Sequence, residues 1–437
     1  MKTMIRLLPS VLLLCWPLFA GPRYDLLLRG GHVLDPKNKV ARVADIAIAG
    51  GKIARVAPNI PADQARRAVN VSGLYVVPGL IDIHVHVYAA TGRRAAYNGD
   101  NSVYPDGFCF RNGVTTVVDA GSSGWRDFPD FKDRVIDRSK TRVLAMLNIV
   151  GNGMSGGEAE QNVADMQAQP AARRAREFPN IIVGIKTAHY AGRDWVAVER
   201  AVEAGTLSNL PVMVDFGRFW LERPYSELIL KKLRRGDIST HMYFGSVPLF
   251  NDNGRLHGYL NEARRRGVFF DVGHGGNAFV FRQAAPALEQ GWTPDSISTD
   301  LHVASMNAGM KDMLNVMSKF LNLGMSLPEV VRRSTVNPAN MIHRPELGHL
   351  SKGAEADVAV LRLVKGKFGF VDSWGARLTG TQKLEAELTI RAGHVVWDLN
   401  GITRDDFRQL GKYERQEHFE WDGTLIQRPP DPPSAKR

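Results

Sequence analysis

The chain has 437 residues, 44% apolar and 23% charged, the balance of a water-soluble globular protein long enough for one large barrel or two domains. Its formal charge of +11 is spread over short clusters such as Arg93–Arg94, Arg173–Arg174 and Arg264–Arg266, which read as solvated helix faces. With no long basic run or aromatic-interleaved stripe, nucleic acid is excluded as the expected partner, and the charge supports only a mild attraction for anionic substrates or surfaces.

Lys2 and Arg6 precede the apolar stretch LLPSVLLLCWPLFA, which ends in the small residues Ala20 and Gly21. Residues 1–20 therefore read as a secretory signal, too short and Pro-broken to stay as a membrane span. The mature protein is expected in the periplasm or outside the cell, with no membrane partner once the signal is removed. Leu18, three residues before the proposed cut, leaves the cut position open. Leu14 before Cys15 argues against lipidation. Cleavage leaves Cys109 as the remaining cysteine, so no intramolecular disulfide is expected.

Residues 21–77 alternate short β-type runs with the turn pairs Gly30-Gly31 and Gly50-Gly51, which reads as a small antiparallel β unit. Residues 78–344 then alternate strands with helical stretches. The strand candidates are Ile81 to Val87, Val114 to Asp119, Arg142 to Val150, Ile181 to Thr187, Val212 to Phe216, Ile238 to Phe244, Val268 to His274 and Ser296 to His302. Helical stretches include Ala171 to Glu177, Trp195 to Ala204, Glu222 to Arg234 and Leu256 to Arg266. Eight such units are what a (β/α)8 barrel requires. Met306 to Leu323 carries a Met and Leu stripe at helical spacing, read as core filling. Residues 345–400 return to short strands able to pair with the N-terminal unit. Residues 401–437 form a polar tail ending in RPPDPPSAKR.

Barrel active sites form at the C-terminal ends of strands. Those ends carry His84 and His86 (two apart on one strand, hence on one face), then Asp119, Lys186, Asp215, His241, His274 and Asp300, with His302 following. Asp119 reads as a cap of the GSSG turn. Each of the others alone has a structural reading, a satisfied core histidine or a Lys at the barrel mouth. Together they are hard to explain by packing, because buried charges are costly unless paired or metal-bound. Imidazoles and carboxylates suit zinc or other divalent first-row metals.

The motifs VVPGLIDIHVHV, VGIKTAHY, THMY and SISTDLH, with NPA at Asn337 to Ala339 and the closing KGAEADVAVL, resemble the amidohydrolase superfamily along nearly the whole mature chain. GVTTVVDAGSSG and FDVGHGG are similar to its dihydroorotase-related amidohydrolase/deacetylase branch. The resemblance implies an α/β fold, a (β/α)8 TIM barrel with a small β-sandwich formed by both chain ends. It implies two divalent metal ions, zinc first, with manganese or another metal possible, bridged by a carboxylated Lys186. His84 and His86 would bind the more buried metal and His241 the second. Asp300 would bind the first metal and act as general base and acid. The pattern expects a histidine at the end of strand five, where PVMVDFG places Asp215. Three readings stay open: Asp215 ligates through oxygen, which is favoured and would shift preference towards Mn or Mg; His189 or another group replaces it; or the site is effectively mononuclear.

The expected reaction is hydrolysis of an N-acyl amide or an ester of a small-molecule substrate by a metal-bound hydroxide. His274, in GHGGNAF, and Tyr190 are expected to hold the substrate; Arg218 reads as a surface arginine before a carboxylate partner. A cyclic-amide hydrolase of dihydroorotase or hydantoinase type is the alternative. A catalytically inactive barrel acting as a binding protein is the alternative of another class, supported by Asp215 alone. A homo-oligomer stays open.

Overall fold

The computed structural model describes residues 22–217 and 220–410. The signal expected at residues 1–20, Arg218 and the Pro-rich end lie outside the described residues. The N-terminal β unit consists of β1 (Tyr24–Asp35), β2 (Val40–Ala49), β3 (Lys52–Ala57), β4 (Ala65–Asn70) and β5 (Tyr75–Pro78). The barrel strands are β6 (Leu80–Val85), β7 (Val114–Gly124), β8 (Arg142–Asn148), β9 (Ile182–Thr187), β10 (Val212–Val214), β11 (Ile238–Ser239) and β12 (Phe269–Phe270). The chain then adds β13 (Val358–Val371), β14 (Arg377–Arg391) and β15 (His394–Asp398).

Both chain ends meet in one eight-stranded sheet, in the order β15-β14-β13-β5-β1-β2-β3 with β4 paired to β1. The joint is an antiparallel pairing that sets Val358 opposite Pro78 and Leu361 opposite Tyr75. The strand that enters the barrel thus starts directly from the sheet, with Gly79 between β5 and β6. Residues 401–410 belong to a separate unit, where Asp406 caps a single 3-10 turn at Phe407–Gln409.

The seven strands β6 to β12 lie side by side in chain order, all parallel. The eighth stave is the segment 296–301. It bridges Asp271 through Ser296 on one side and Val85 through Leu301 on the other. Its expected strand, Ser296 to His302, does not form a continuous ladder because Asp300 has φ +51°, outside the β region. The same cause shortens two other strands. His241 at φ +59° and Gly273 at φ +47° end β11 and β12 early, against expected ends at Phe244 and His274. The backbone leaves the strand where it delivers site residues.

Alternation of side chains separates two apolar layers. Ile81, Ile83, Val118, Ala120, Leu144 and Met146 pack in one cluster inside the barrel. Leu80, Val85, Val117, Val143, Ala145 and Leu147 face the other way and pack in the larger core with helices such as Ala168–Glu177, Val196–Ser208 and Gly258–Arg266. On β6 the alternation is broken once. The register against β7 shifts between Asp82 and Val85, so His84 and His86 follow Ile83 on the inner side instead of opposing it.

The Met-rich helix is divided. It forms at Val303–Met306 and again at Met313–Asn322, where Asp312 accepts from the backbone N–H of Asn315 as the new cap. Lys311, at φ +69°, cannot continue a helix. Met310, Met313 and Met317 are buried, as core filling requires. The helix expected over Glu222 to Arg234 is shorter: Tyr225–Glu227 runs into a π turn, Leu228–Lys232. Cys109 is free and buried. No helix among the described residues is long and apolar enough to cross a membrane.

Candidate metal centre

Two groups of side chains converge at the C-terminal mouth of the barrel. The first is His84, His86 and Asp300, whose ligand atoms lie within 4.8 Å of one another. The His86 Nε2 is 3.2 Å and the His84 Nε2 3.6 Å from Asp300 Oδ1. Both rings are fixed from behind. His84 Nδ1 lies 2.9 Å from the Thr240 hydroxyl, which itself donates to Asp271. His86 Nδ1 lies 2.8 Å from the Ser122 hydroxyl. Burial lowers the pKa of His84 to about 4 and of His86 to about 3, so both are neutral and offer lone pairs. Burial raises the Asp300 carboxyl, but the imidazoles around it, His84 first and then His86 and His302, outweigh this and hold it well below the usual carboxylate range. Two inward lone pairs against one buried carboxylate oxygen are poorly satisfied by one another and well satisfied by a cation. The donor set fits a divalent ion.

The second group is built around Asp215. Its Oδ2 lies 3.5 Å from His189 Nε2 and 3.6 Å from His241 Nε2. Again the far side of each ring is held: His241 Nδ1 donates to the Gly273 carbonyl at 2.6 Å, and His189 Nδ1 to Glu160 Oε2 at 2.6 Å. Burial raises the Asp215 pKa, but the histidines beside it overcome this and push it below the ordinary carboxylate range. The His84 and His241 rings are 5.0 Å apart, centre to centre, which joins the two groups. His189, His241 and Asp300 all have positive φ, between +51° and +59°. Non-glycine residues held there are strained, and such strain concentrates at functional sites.

Lys186 stands between the groups. It is fully buried, with Nζ 3.0 Å from His84 Nε2, and burial lowers its pKa. Its aliphatic stem runs over Gly121, where an added Cβ would meet Lys186 Cγ at 2.7 Å; the GSSG stretch is glycine there to let the lysine through. A second glycine makes room for the carboxylate: a Cβ on Gly275, itself at φ +57°, would meet Asp300 Oδ2 at 2.5 Å.

The two expected substrate contacts lie elsewhere. His274 is fully buried, with Nδ1 bonded to the Gly275 carbonyl, Nε2 2.7 Å from Lys319 Nζ, and its ring stacked on Phe279. Both ring nitrogens are occupied, so it supports the 273–275 segment from below. Tyr190 turns its hydroxyl to Asp194, 3.1 Å away. Asp119 accepts from the backbone N–H groups of Ser122 and Val87, but no turn follows it: β7 runs on to Gly124 through a register shift after Ala120, so GSSG is an irregular stretch of strand.

Lys319 supplies a pH prediction. Burial lowers its pKa from 10.5 to about 7. Between these values the unfolded chain holds a proton that the folded one has released, so stability rises with pH across this window. Below about pH 7 the cost of burying the cation is fully present. Urea unfolding at ~pH 7 and ~pH 9.5 should show wild type gaining stability relative to Lys319→Met as pH rises. A stability difference independent of pH would contradict this assignment.

Several site residues were not singled out from sequence. Asp271, fully buried, accepts from the hydroxyls of Thr240, Ser296 and Ser298 and so orients His84. Its signal was available: an inward Asp at the end of β12 beside the alternating hydroxyls of SISTD. Glu160 sits on a 3-10 turn at Gly157–Gln161 in a connection with no motif. Tyr97 lies in the long β6–β7 connection, with its ring 4.4 Å from His86 and 5.0 Å from His302. It covers the mouth from that side.

Comparison with known proteins agrees with this geometry. Residues 281–396 match the model of the amidohydrolase family. A deacetylase of Agrobacterium fabrum is 32% identical over 342 residues, covering 76% of this chain and 81% of that protein. The crystal structure of an adenine deaminase aligns at a TM-score of 0.77 with 28% identity, over 86% of this chain and all of the other. That of a dihydroorotase aligns at 0.74 with 29% identity, over 86% and 99%. With the histidine–aspartate cluster at the barrel mouth and a relative matched over most of its length, the chain belongs to the amidohydrolase family.

Proposed function

We propose that the chain is an exported deacylase that cleaves an N-acyl amide or an ester of a small molecule, using two divalent ions. The observation that carries this reading is the pair of neutral, inward-facing imidazoles, His84 and His86, around one oxygen of Asp300. His84, His86 and Asp300 would hold the first ion and His241 with Asp215 the second, zinc being the first choice. An ion held there would polarise the carbonyl and acidify water.

The protein's own groups have separable tasks. Lys186, fully buried and with its pKa lowered by burial, is a suitable amine for reaction with carbon dioxide. Its nitrogen would bond the carbon of carbon dioxide and an N–H proton would leave, giving a carbamate that would supply anionic oxygen ligands between the two groups. Asp300 divides its oxygens. Oδ1 faces the two imidazoles, and Oδ2 faces His302 Nε2 at 3.9 Å. We assign Oδ2 to take the proton of the attacking water and deliver it to the leaving nitrogen or oxygen. Tyr97 excludes water above His86 and His302.

The acyl group follows the Agrobacterium relative, which is a deacetylase. The small β-sandwich goes with this reading and is supported by the single sheet to which both chain ends contribute. Export rests on the leader-like residues 1–20. A screen of the metal-reconstituted protein against N-acyl amino acids, acetyl esters, cyclic amides and adenine tests the assignment. Turnover of the acyl compounds is expected; turnover confined to cyclic amides or adenine would replace it.

A further inference from the structure

We infer that His189 is a ligand of the second cation, making that subsite a His189–Asp215–His241 set with Glu160 as the group that aims His189. This rests on the two-ion reading above and changes its ligand set. Asp215 alone would leave the second ion with one imidazole and one carboxylate beside the bridging lysine.

The placement of the rings repeats, on the second group, that of the first. The difference is that burial would lower the His189 pKa, but the carboxylates on either side of it outweigh this and raise it to about 9. A cation bound there would displace a proton from its Nε2. His84, His86 and His241 each have Nδ1 engaged from behind, by Thr240, Ser122 and the Gly273 carbonyl. Each turns Nε2 towards a carboxylate oxygen at the mouth. His189 is built the same way: Nδ1 on the buried Glu160 carboxylate, Nε2 towards Asp215 Oδ2. A carboxylate behind an imidazole fixes its tautomer and strengthens it as a ligand. His189 and His241 flank one oxygen of Asp215 at nearly equal distances, 3.5 and 3.6 Å. A surface histidine has no need of this construction. His189 is held in a left-handed backbone conformation, φ +58°, a cost the fold bears to bring the ring inwards. The Gln161 side-chain amide fastens the same residue from outside, donating to the His189 carbonyl at 2.9 Å. The connection that carries Glu160 and Gln161 therefore exists, in part, to place this ring.

Metal analysis of the full-length protein reconstituted with cobalt(II) tests the inference. Wild type should hold two equivalents per chain. His189→Asn should hold one at the same free cobalt, and Glu160→Gln should weaken the second site by about 10–100-fold without affecting the first. His189→Cys gives a readout that no supporting role produces: a sulfur-to-cobalt charge-transfer band in the near ultraviolet that appears with the second equivalent. Two tightly held equivalents in His189→Asn, or a His189→Cys protein that fills both sites without that band, would overturn the inference and leave the two-ion reading intact. A single equivalent in wild type would overturn the two-ion reading itself, and this inference with it. Circular dichroism melts of each variant separate loss of the site from loss of the fold.

Discussion

Asp300→Asn is expected to abolish turnover while sparing the fold. The amide keeps the size of the carboxylate but cannot take a proton from water at Oδ2 or return it to a leaving group. Loss of a positioned acid–base group costs about 10²–10⁴-fold. The loss of negative charge at Oδ1 beside His84 and His86 also weakens the first ion, so the upper end of that range is expected. The metal-free protein should still fold but with some loss of stability at neutral pH, because a carboxylate held below its ordinary range by its neighbours stabilises the folded state there. Initial rates on the best acyl substrate, with a thermal melt of the metal-free variant, measure both. More than about a tenth of wild-type activity would remove Asp300 from the proton-transfer role.

Lys186→Met is expected to separate stability from function. Lys186 is fully buried, and its nearest polar neighbours are His84 Nε2 at 3.0 Å and the Met213 sulfur at 3.6 Å. Asp215, Asp300, Asp271 and Asp119 favour its charge without pairing with it directly, and together they offset less than burial costs, since its pKa is lowered overall. An apolar side chain of similar length in that position should stabilise the metal-free protein by on the order of 1 kcal/mol. It should also remove the second ion, weaken the first, and lower kcat/KM by on the order of 10³-fold, the scale of losing a preorganised charge-stabilising element. A variant less stable than wild type without metal would show that the lysine is placed for packing.

The His84, His86 and Asp300 group was legible because each of its residues sits in a recognisable pattern at the end of a barrel strand. His84 and His86 share a strand face by spacing alone, and Asp300 stands in a motif, SISTDLH, whose neighbours are small and hydroxylic. The second group was harder, since it depends on contacts between distant segments. His189 lies three residues past Lys186, beyond the end of β9, and its position depends on a left-handed backbone that no periodicity announces. Glu160 sits in an irregular connection. His274 departs from the expected pattern for a related reason: strand alternation carried through Gly273 places its ring at the mouth, but the chain turns there at φ +47°, and the ring meets Lys319. The barrel itself was readable as eight units, while the lengths of its last three staves were not. The residues that end them, His241, Gly273 and Asp300, are set by the site and not by strand propensity.

The central claim, a cation held between His84, His86 and Asp300 on which hydrolysis depends, is tested most directly by metal removal and return. The protein as purified should contain divalent metal. Dialysis against a strong chelator should lower hydrolysis of the acyl substrate by at least about 100-fold, and zinc or manganese should restore it. The His84→Asn protein should neither retain metal at the first site nor recover. Full activity in chelated protein, or full recovery in His84→Asn, would contradict the account.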